Sequence, residues 1–282
     1  MKKFLTILLI TAFALLGWNL LHQTEKPNNQ PNSSNSLKDN LEAVKTEKAG
    51  EPEEKNGVGN SQETKISDSQ NNGKSDDDSK NTSLPEFHLN KAPFLSQSPF
   101  AKWDPLHQEA CEEAALIMAH LYLQETKSIS KEDADKMIKQ MVKFEEEELG
   151  FDVDIKAKQI IALAEEFYDY KKDRFNLMEK PSVKEIKKEL ANGNLFIVPA
   201  AGRVLENPNF QTPGPLYHAL TLTGYDEKSG EFITNDPGTR RGENFRYSYD
   251  NLMESIRDLP DSRDKKEILM GEKRVILVKK EL

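Results

Sequence analysis

Cysteine is nearly absent. Cys111 is the only one in 282 residues, so no intramolecular disulfide can form and the fold must rest on its core. Aromatic residues are missing altogether between Trp18 and Phe87, which leaves that stretch without the large apolar surfaces that offset ordering entropy. An excess of basic charge is missing too. With 39 Lys and Arg against 48 Asp and Glu, the formal net charge is −9, and no basic footprint points to nucleic acid. His88, His107 and His120 lack the paired spacing of a metal-ligand set, so neither a metal nor another cofactor is expected.

What the sequence does have begins at its amino terminus. Lys2 and Lys3 precede an apolar run from Phe4 to Leu21, interrupted only by Thr6, Thr11, Gly17 and Asn19. A basic head on an apolar core signals export, and this run is long for a cleaved signal but just long enough to span a bilayer. Ala12-Phe13-Ala14 resembles a cleavage site, yet the apolar stretch continues beyond it. No cysteine follows the run, which excludes a lipoprotein anchor. Residues 1–22 are therefore read as an uncleaved signal anchor, with a cleaved signal peptide as the alternative. The basic residues would stay on the cytoplasmic side, and the rest of the chain would be extracytoplasmic, either membrane-anchored by a single pass or secreted.

Residues 23–85 are rich in Asn, Ser, Lys, Asp and Glu and read as a disordered polar linker. A flexible tether of about 60 residues would span on the order of 45 Å. From 86 to 282 the composition becomes globular, about 195 residues and within the size of one domain. Its opening, "FHLNKAPFLSQ", reads as an extended segment. Helices are predicted over Gln108–Gln124, over the stretch from Ser130 to a stop at Gly150, over Ile155–Phe167, and after Ser182 up to Gly193. Ser130 with Asp133, and Ser182 with Glu185, have capping-box spacing. Strands are predicted at Leu195–Pro199, His218–Tyr225, Glu231–Asp236, Phe245–Tyr249 and Arg274–Val278. Helices first and strands afterwards argue for an α+β domain. The "FEEEELG" run reads as a solvated helix end, and "GTRRGENFRY" as a solvated basic loop, with reception of an acidic group as the sharper alternative.

The chemistry turns on Cys111. It begins a stripe of Ala114, Ala115, Met118, Leu121 and Tyr122 at helical spacing, so it could simply pack as a small apolar residue. Its place in a first helical turn, near unsatisfied N–H groups, would instead favour thiolate. Glu112 and Glu113 oppose that, since nearby negative charge raises a thiol's pKa, and a basic partner is needed. His218 starts a strand whose alternation puts His218, Leu220 and Leu222 on one face, which should pack on a helix. If His218–Tyr225 and Glu231–Asp236 fold as a hairpin about Lys228, facing residue numbers sum to roughly 456, and Asp236 falls diagonal to His218. A helix-start cysteine, a strand-start histidine and a carboxylate across the hairpin match a Cys–His–Asp nucleophilic set.

The strings "FLSQSPFAKWDPLHQEACEEAALIMAHLYL", "YHALTLTGYD" and "ITNDPGT" resemble the peptidase C39-like family, whose domains have a papain-like cysteine peptidase fold with a helical amino-terminal part on an antiparallel sheet. The resemblance spans about residues 86–282. It implies Cys111 as nucleophile, His218 as base, Asp236 as third member, and an upstream glutamine in the oxyanion hole. Gln97 matches that element, with Gln108 as competitor; a donor there would be worth about 3 kcal/mol to the transition state. A peptide or protein substrate is implied. Leader-cleaving exporters of the family fuse this domain to membrane-spanning and ATPase segments and carry glycine after the cysteine. Here the following residue is Glu112 and no Walker-type sequence occurs in the globular region, so leader processing does not carry over. A cell-wall amidase or acyl transferase, and a catalytically silent peptide- or partner-binding domain, are the competing readings. Trp103 could line the cleft or cover the core.

Overall fold

The computed structural model describes residues 83–150 and 154–281. The expected anchor over 1–22 and all but the end of the expected linker over 23–85 lie outside the described residues. Among the described residues no helix is long and apolar enough to cross a membrane.

The domain opens with a short strand, β1 (Phe87–Leu89), in the segment expected to be extended. Two helices follow where one was predicted. Helix α1 (Pro105–Gln108) begins at Pro105, with the Asp104 carboxylate accepting from the His107 N–H, and ends at once. Helix α2 (Cys111–Leu123) starts afresh after Glu109 and Ala110. The restart corrects the predicted helix over 108–124 and makes Cys111 the first residue of its own helix. The predicted single stripe is also too narrow, because α2 is buried on nearly every face, including Leu116, Ile117 and Ala119.

Helix α3 (Lys131–Phe144) is capped by Ser130, whose hydroxyl accepts from the Asp133 N–H at 3.0 Å. It runs into a π-helical turn over Glu145–Leu149 and stops at Gly150, whose φ of 62° is one glycine adopts at little cost. Helix α4 (Ala157–Tyr168) lies close to its predicted bounds. Strand β2 (Phe175–Glu179) was not predicted. Helix α5 (Val183–Ala191) carries the full capping box between Ser182 and Glu185. Then come β3 (Leu195–Ala201), β4 (Tyr217–Asp226), β5 (Glu231–Asn235), β6 (Phe245–Ser248), α6 (Tyr249–Ser255), a 3-10 turn over Lys265–Met270, and β7 (Arg274–Val278).

The strands form one antiparallel sheet in the order β2-β7-β3-β4-β5-β6, with β1 pairing to the far end of β4. The α+β expectation holds, and the amino-terminal helices pack on the antiparallel sheet as a papain-like fold requires. One face carries α2, α3 and α4, whose Met118, Ile138 and Ile160 meet Ile197, Ala219 and Ile276. The other carries α5 and α6, whose Ile186, Leu190 and Leu252 meet Val198, Leu220 and Leu222. Each such fully buried Leu, Ile, Val or Met side chain contributes about 2 kcal/mol. Leu220 and Leu222 thus do pack on helices, but not on the one that bears the cysteine. Helix α2 grips the opposite face of β4, where the Thr221 hydroxyl donates to the Ala115 carbonyl at 3.1 Å.

Candidate active site

The β4–β5 hairpin pairs Thr221 with Asn235 and Leu222 with Thr234, the register predicted from the turn, before a bulge shifts the remaining pairs by one. Asp236 follows β5 directly rather than ending it, and comes to rest beside the start of β4. There His218 Nε2 lies 2.8 Å from Asp236 Oδ1. Since the carboxylate accepts, Nε2 is the donor in this bond. The ring is fixed from two further sides. Phe210 meets it edge-on with centroids 5.2 Å apart. A Cβ at position 238 would stand 2.8 Å from His218 Cε1, so only Gly238 lets the chain pass this close.

Asp236 is fully buried (0 % exposed) and its oxygens are saturated by donors. Oδ1 accepts from His218 and from the Gly238 N–H at 2.9 Å. Oδ2 accepts from the Tyr247 hydroxyl at 2.6 Å and the Asn207 amide at 3.2 Å. Burial works to raise its pKa, but the charge and hydrogen bond of His218, with the Tyr247 and Gly238 bonds, outweigh it and hold the carboxyl below its ordinary value. Asn207 and Tyr247 were not singled out in the sequence. Tyr247 sits on β6, and only the strand's alternation could have turned it inward; Asn207 comes from a loop and left no signal.

Cys111, His218 and Gln97 line one cleft of about 610 Å³, with Trp103 and Phe210 in its walls. Among the described residues no hydrogen bond joins the thiol to the imidazole. Instead Sγ donates to Glu112 Oε2 at 2.9 Å, while Glu112 Oε1 accepts from the Ile155 N–H at 2.9 Å. Burial first, then the negative charge of Glu112, Asp154 and Glu113, pushes the Cys111 thiol well above its ordinary pKa. The helix end does offer donors, because its cap residue Ala110 provides no side-chain hydrogen bond. The first turn of α2, which begins at Cys111, is thus without a capping side chain at Ala110.

Gln97 is buried in the cleft, yet its amide nitrogen donates to the His107 carbonyl at 3.0 Å and to the Gln108 carbonyl at 3.1 Å. Its Oε1 has no partner. Gln108 donates to the Trp103 carbonyl at 3.0 Å. Both glutamines therefore reach the site while their amide N–H groups are engaged with backbone. His107 is held by Asp104 and Asp135 at 2.7 and 2.9 Å.

The run after α3 that was expected to be solvated is exposed at Glu146, Glu147 and Glu148, but not at its first glutamate. Glu145 is 4 % exposed and meets Glu113 from the first turn of α2, and burial raises Glu145 to about 8. A π-helical turn rotates this carboxyl inward, which the sequence pattern of four glutamates conceals.

No curated protein matches the chain. Among solved structures, a crystal structure from Bacillus anthracis described as a C39-like peptidase is similar, with 14 % identity and a TM-score of 0.43, over 69 % of this chain and 98 % of that one. The model of the Peptidase_C39 like family matches residues 89–258, a span that takes in Gln97, Cys111, His218 and Asp236 together. By that match over more than half its length, the chain belongs to the peptidase C39-like family.

Proposed function

We propose that the chain is a cysteine peptidase that works through Cys111, His218 and Asp236. His218 Nδ1 takes the thiol proton as Sγ attacks a peptide carbonyl carbon, and the carbonyl oxygen becomes an oxyanion facing the first N–H groups of α2. Collapse breaks the C–N bond, the leaving amine takes the proton from His218, and a thioester remains on Cys111. Water, deprotonated by the same imidazole, then releases the acid. Asp236 stabilises the imidazolium and keeps the proton on Nε2 in the resting ring. The observation that carries the reading is the 2.8 Å His218–Asp236 bond, buried and donor-saturated, in the cleft that Cys111 opens into. Digestion of a peptide library by wild type beside Cys111→Ala tests it: wild-type cleavage that the variant lacks is expected, and identical profiles would remove the peptidase.

The hydrogen bond from the thiol to Glu112 favours a second reading, a silent domain that keeps the fold to bind peptides. Alkylation at neutral pH separates the two, since a nucleophile reacts in a His218-dependent way and a silent thiol does not. The apolar segment from Phe4 to Leu21 supports display of this domain outside a membrane, tethered by that segment. A mature amino terminus mapped downstream of Leu21 would reject the tether in favour of secretion.

A further inference from the structure

Among the described residues, the acidic and basic side chains lining the cleft, apart from His218, are Glu109, Lys265 and Arg240. Two of them neutralise each other. Lys265 Nζ lies 2.9 Å from Glu109 Oε2 and 2.7 Å from Asp154 Oδ2. The Arg240 guanidinium has no hydrogen-bond or ion-pair partner among the described residues, although the chain carries 48 acidic residues that could have supplied one.

The loop that carries Arg240 is held at many points. The Asp236 N–H donates to the Gly242 carbonyl at 2.9 Å, and the Gly242 N–H to the Thr239 carbonyl at 3.3 Å, closing a tight turn. The Arg241 N–H donates to Thr239 Oγ1 at 3.2 Å. From the other wall, the Gln97 N–H and the Ser96 hydroxyl donate to the Pro237 carbonyl at 3.0 and 3.2 Å. The turn passes His218 at Gly238, two residues before the arginine. The backbone under Arg240 is thus fixed beside the imidazole, while its side chain stays uncommitted.

We infer that Arg240 is a specificity-determining residue that receives a substrate carboxylate on the imidazole side of the cleft, so that the substrates are acidic peptides. The inference rests on the peptidase reading above. A guanidinium offers two parallel N–H donors that fit a carboxylate, and the exposed Arg240 presents them at the rim of the cleft. With Lys265 neutralised by Glu109 and Asp154, Arg240 is the uncompensated positive charge lining the cleft among the described residues. The carboxylate could belong to an Asp or Glu side chain or to a free peptide carboxyl terminus.

Hexapeptide libraries carrying Glu or Gln at one position, each made with a free or an amidated carboxyl end, distinguish these. Wild type should cleave the carboxylate-bearing members about tenfold or more faster in kcat/KM. Arg240→Gln should bring that ratio near one, while Arg241→Gln, one residue on and outside the cleft, should keep it. A preference for internal Glu assigns the side chain; one confined to free carboxyl ends assigns the terminus. A ratio that survives in Arg240→Gln, or is absent in wild type, overturns the inference. If wild type cleaves no member, the peptidase reading fails separately, and titration of the same peptides into Cys111→Ala with and without Arg240→Gln decides the matter. Tighter binding of the Glu peptides that depends on Arg240 upholds carboxylate recognition; equal binding of Glu and Gln peptides ends it.

Discussion

His218 and Cys111 face one cleft, but their surroundings differ in kind. Beside His218 four donors converge on Asp236 and keep it charged despite burial. Around Cys111 the buried neighbours are acids. Burial first, and then Glu112, Asp154 and Glu113, push the thiol well above its ordinary pKa, and burial raises Glu112, Glu113 and Glu145 as well. The carboxylate beside His218 is held charged, whereas the thiol of Cys111 is held neutral. On the peptidase reading proposed above, ionisation of the thiol would accompany attack, with substrate displacing Glu112 from the sulfur.

The strongest way to break that contrast is to remove its two ends. Cys111→Ala should lower peptide turnover by on the order of 10⁴-fold or more, and Asp236→Asn by about 10³-fold, because the amide can present a donor to Nε2 and so select the wrong tautomer. Activity of Asp236→Asn close to wild type would mean the preorganised wall is irrelevant to turnover. The acidic wall is tested next by stability. Glu145 titrates at about 8 in the fold against an ordinary 4.5, so between those values the folded state holds a proton that the unfolded chain has lost, and stability falls as pH rises. Glu145→Gln should flatten that slope and stabilise at pH 8 by on the order of 2 kcal/mol, measured by urea denaturation across pH.

A smaller effect sharpens the comparison at the sulfur itself. Glu112→Gln removes the carboxyl that accepts from Sγ, an acid whose own pKa burial raises well above the ordinary value, so the pH midpoint of Cys111 alkylation should move down and the rate at pH 7 should rise. An unchanged midpoint would show that burial alone keeps the thiol neutral. Tyr247→Phe should matter least, costing about 1 kcal/mol of stability and a few-fold in turnover, since three donors to Asp236 remain.

Much of the fold was legible because it is local. Ser130, Ser182 and Gly150 mark helix ends by their own chemistry, and the hairpin register follows from a short turn between two strands, which is why Asp236 could be placed beside His218 before any coordinates. The break before Cys111 was hidden because Glu109 and Ala110 have ordinary helix propensity, and Pro105 with Asp104 starts a separate short helix upstream. Strand β2 escaped because "FNLME" has no sharp boundaries and is fixed as a strand only by pairing with β7. Glu145 and Asn207 were illegible for a different reason. Their roles depend on groups far away in the chain, and no window of sequence contains both partners. Gln97 lies between these cases: the family resemblance pointed to it, but the His107 and Gln108 carbonyls that hold its amide belong to the short helix over Pro105–Gln108, which was not predicted.

One strand touches both halves of the chemistry. On one side β4 presents the imidazole, and on the other it ties the cysteine-bearing helix through Thr221 and Ala115. A strand sliding by one position turns every side chain to the opposite side, so a mispaired β4 would deliver the ring to the wrong layer while also letting go of the helix. Correct assembly of this single element consequently decides whether His218 and Cys111 come to face one cleft at all.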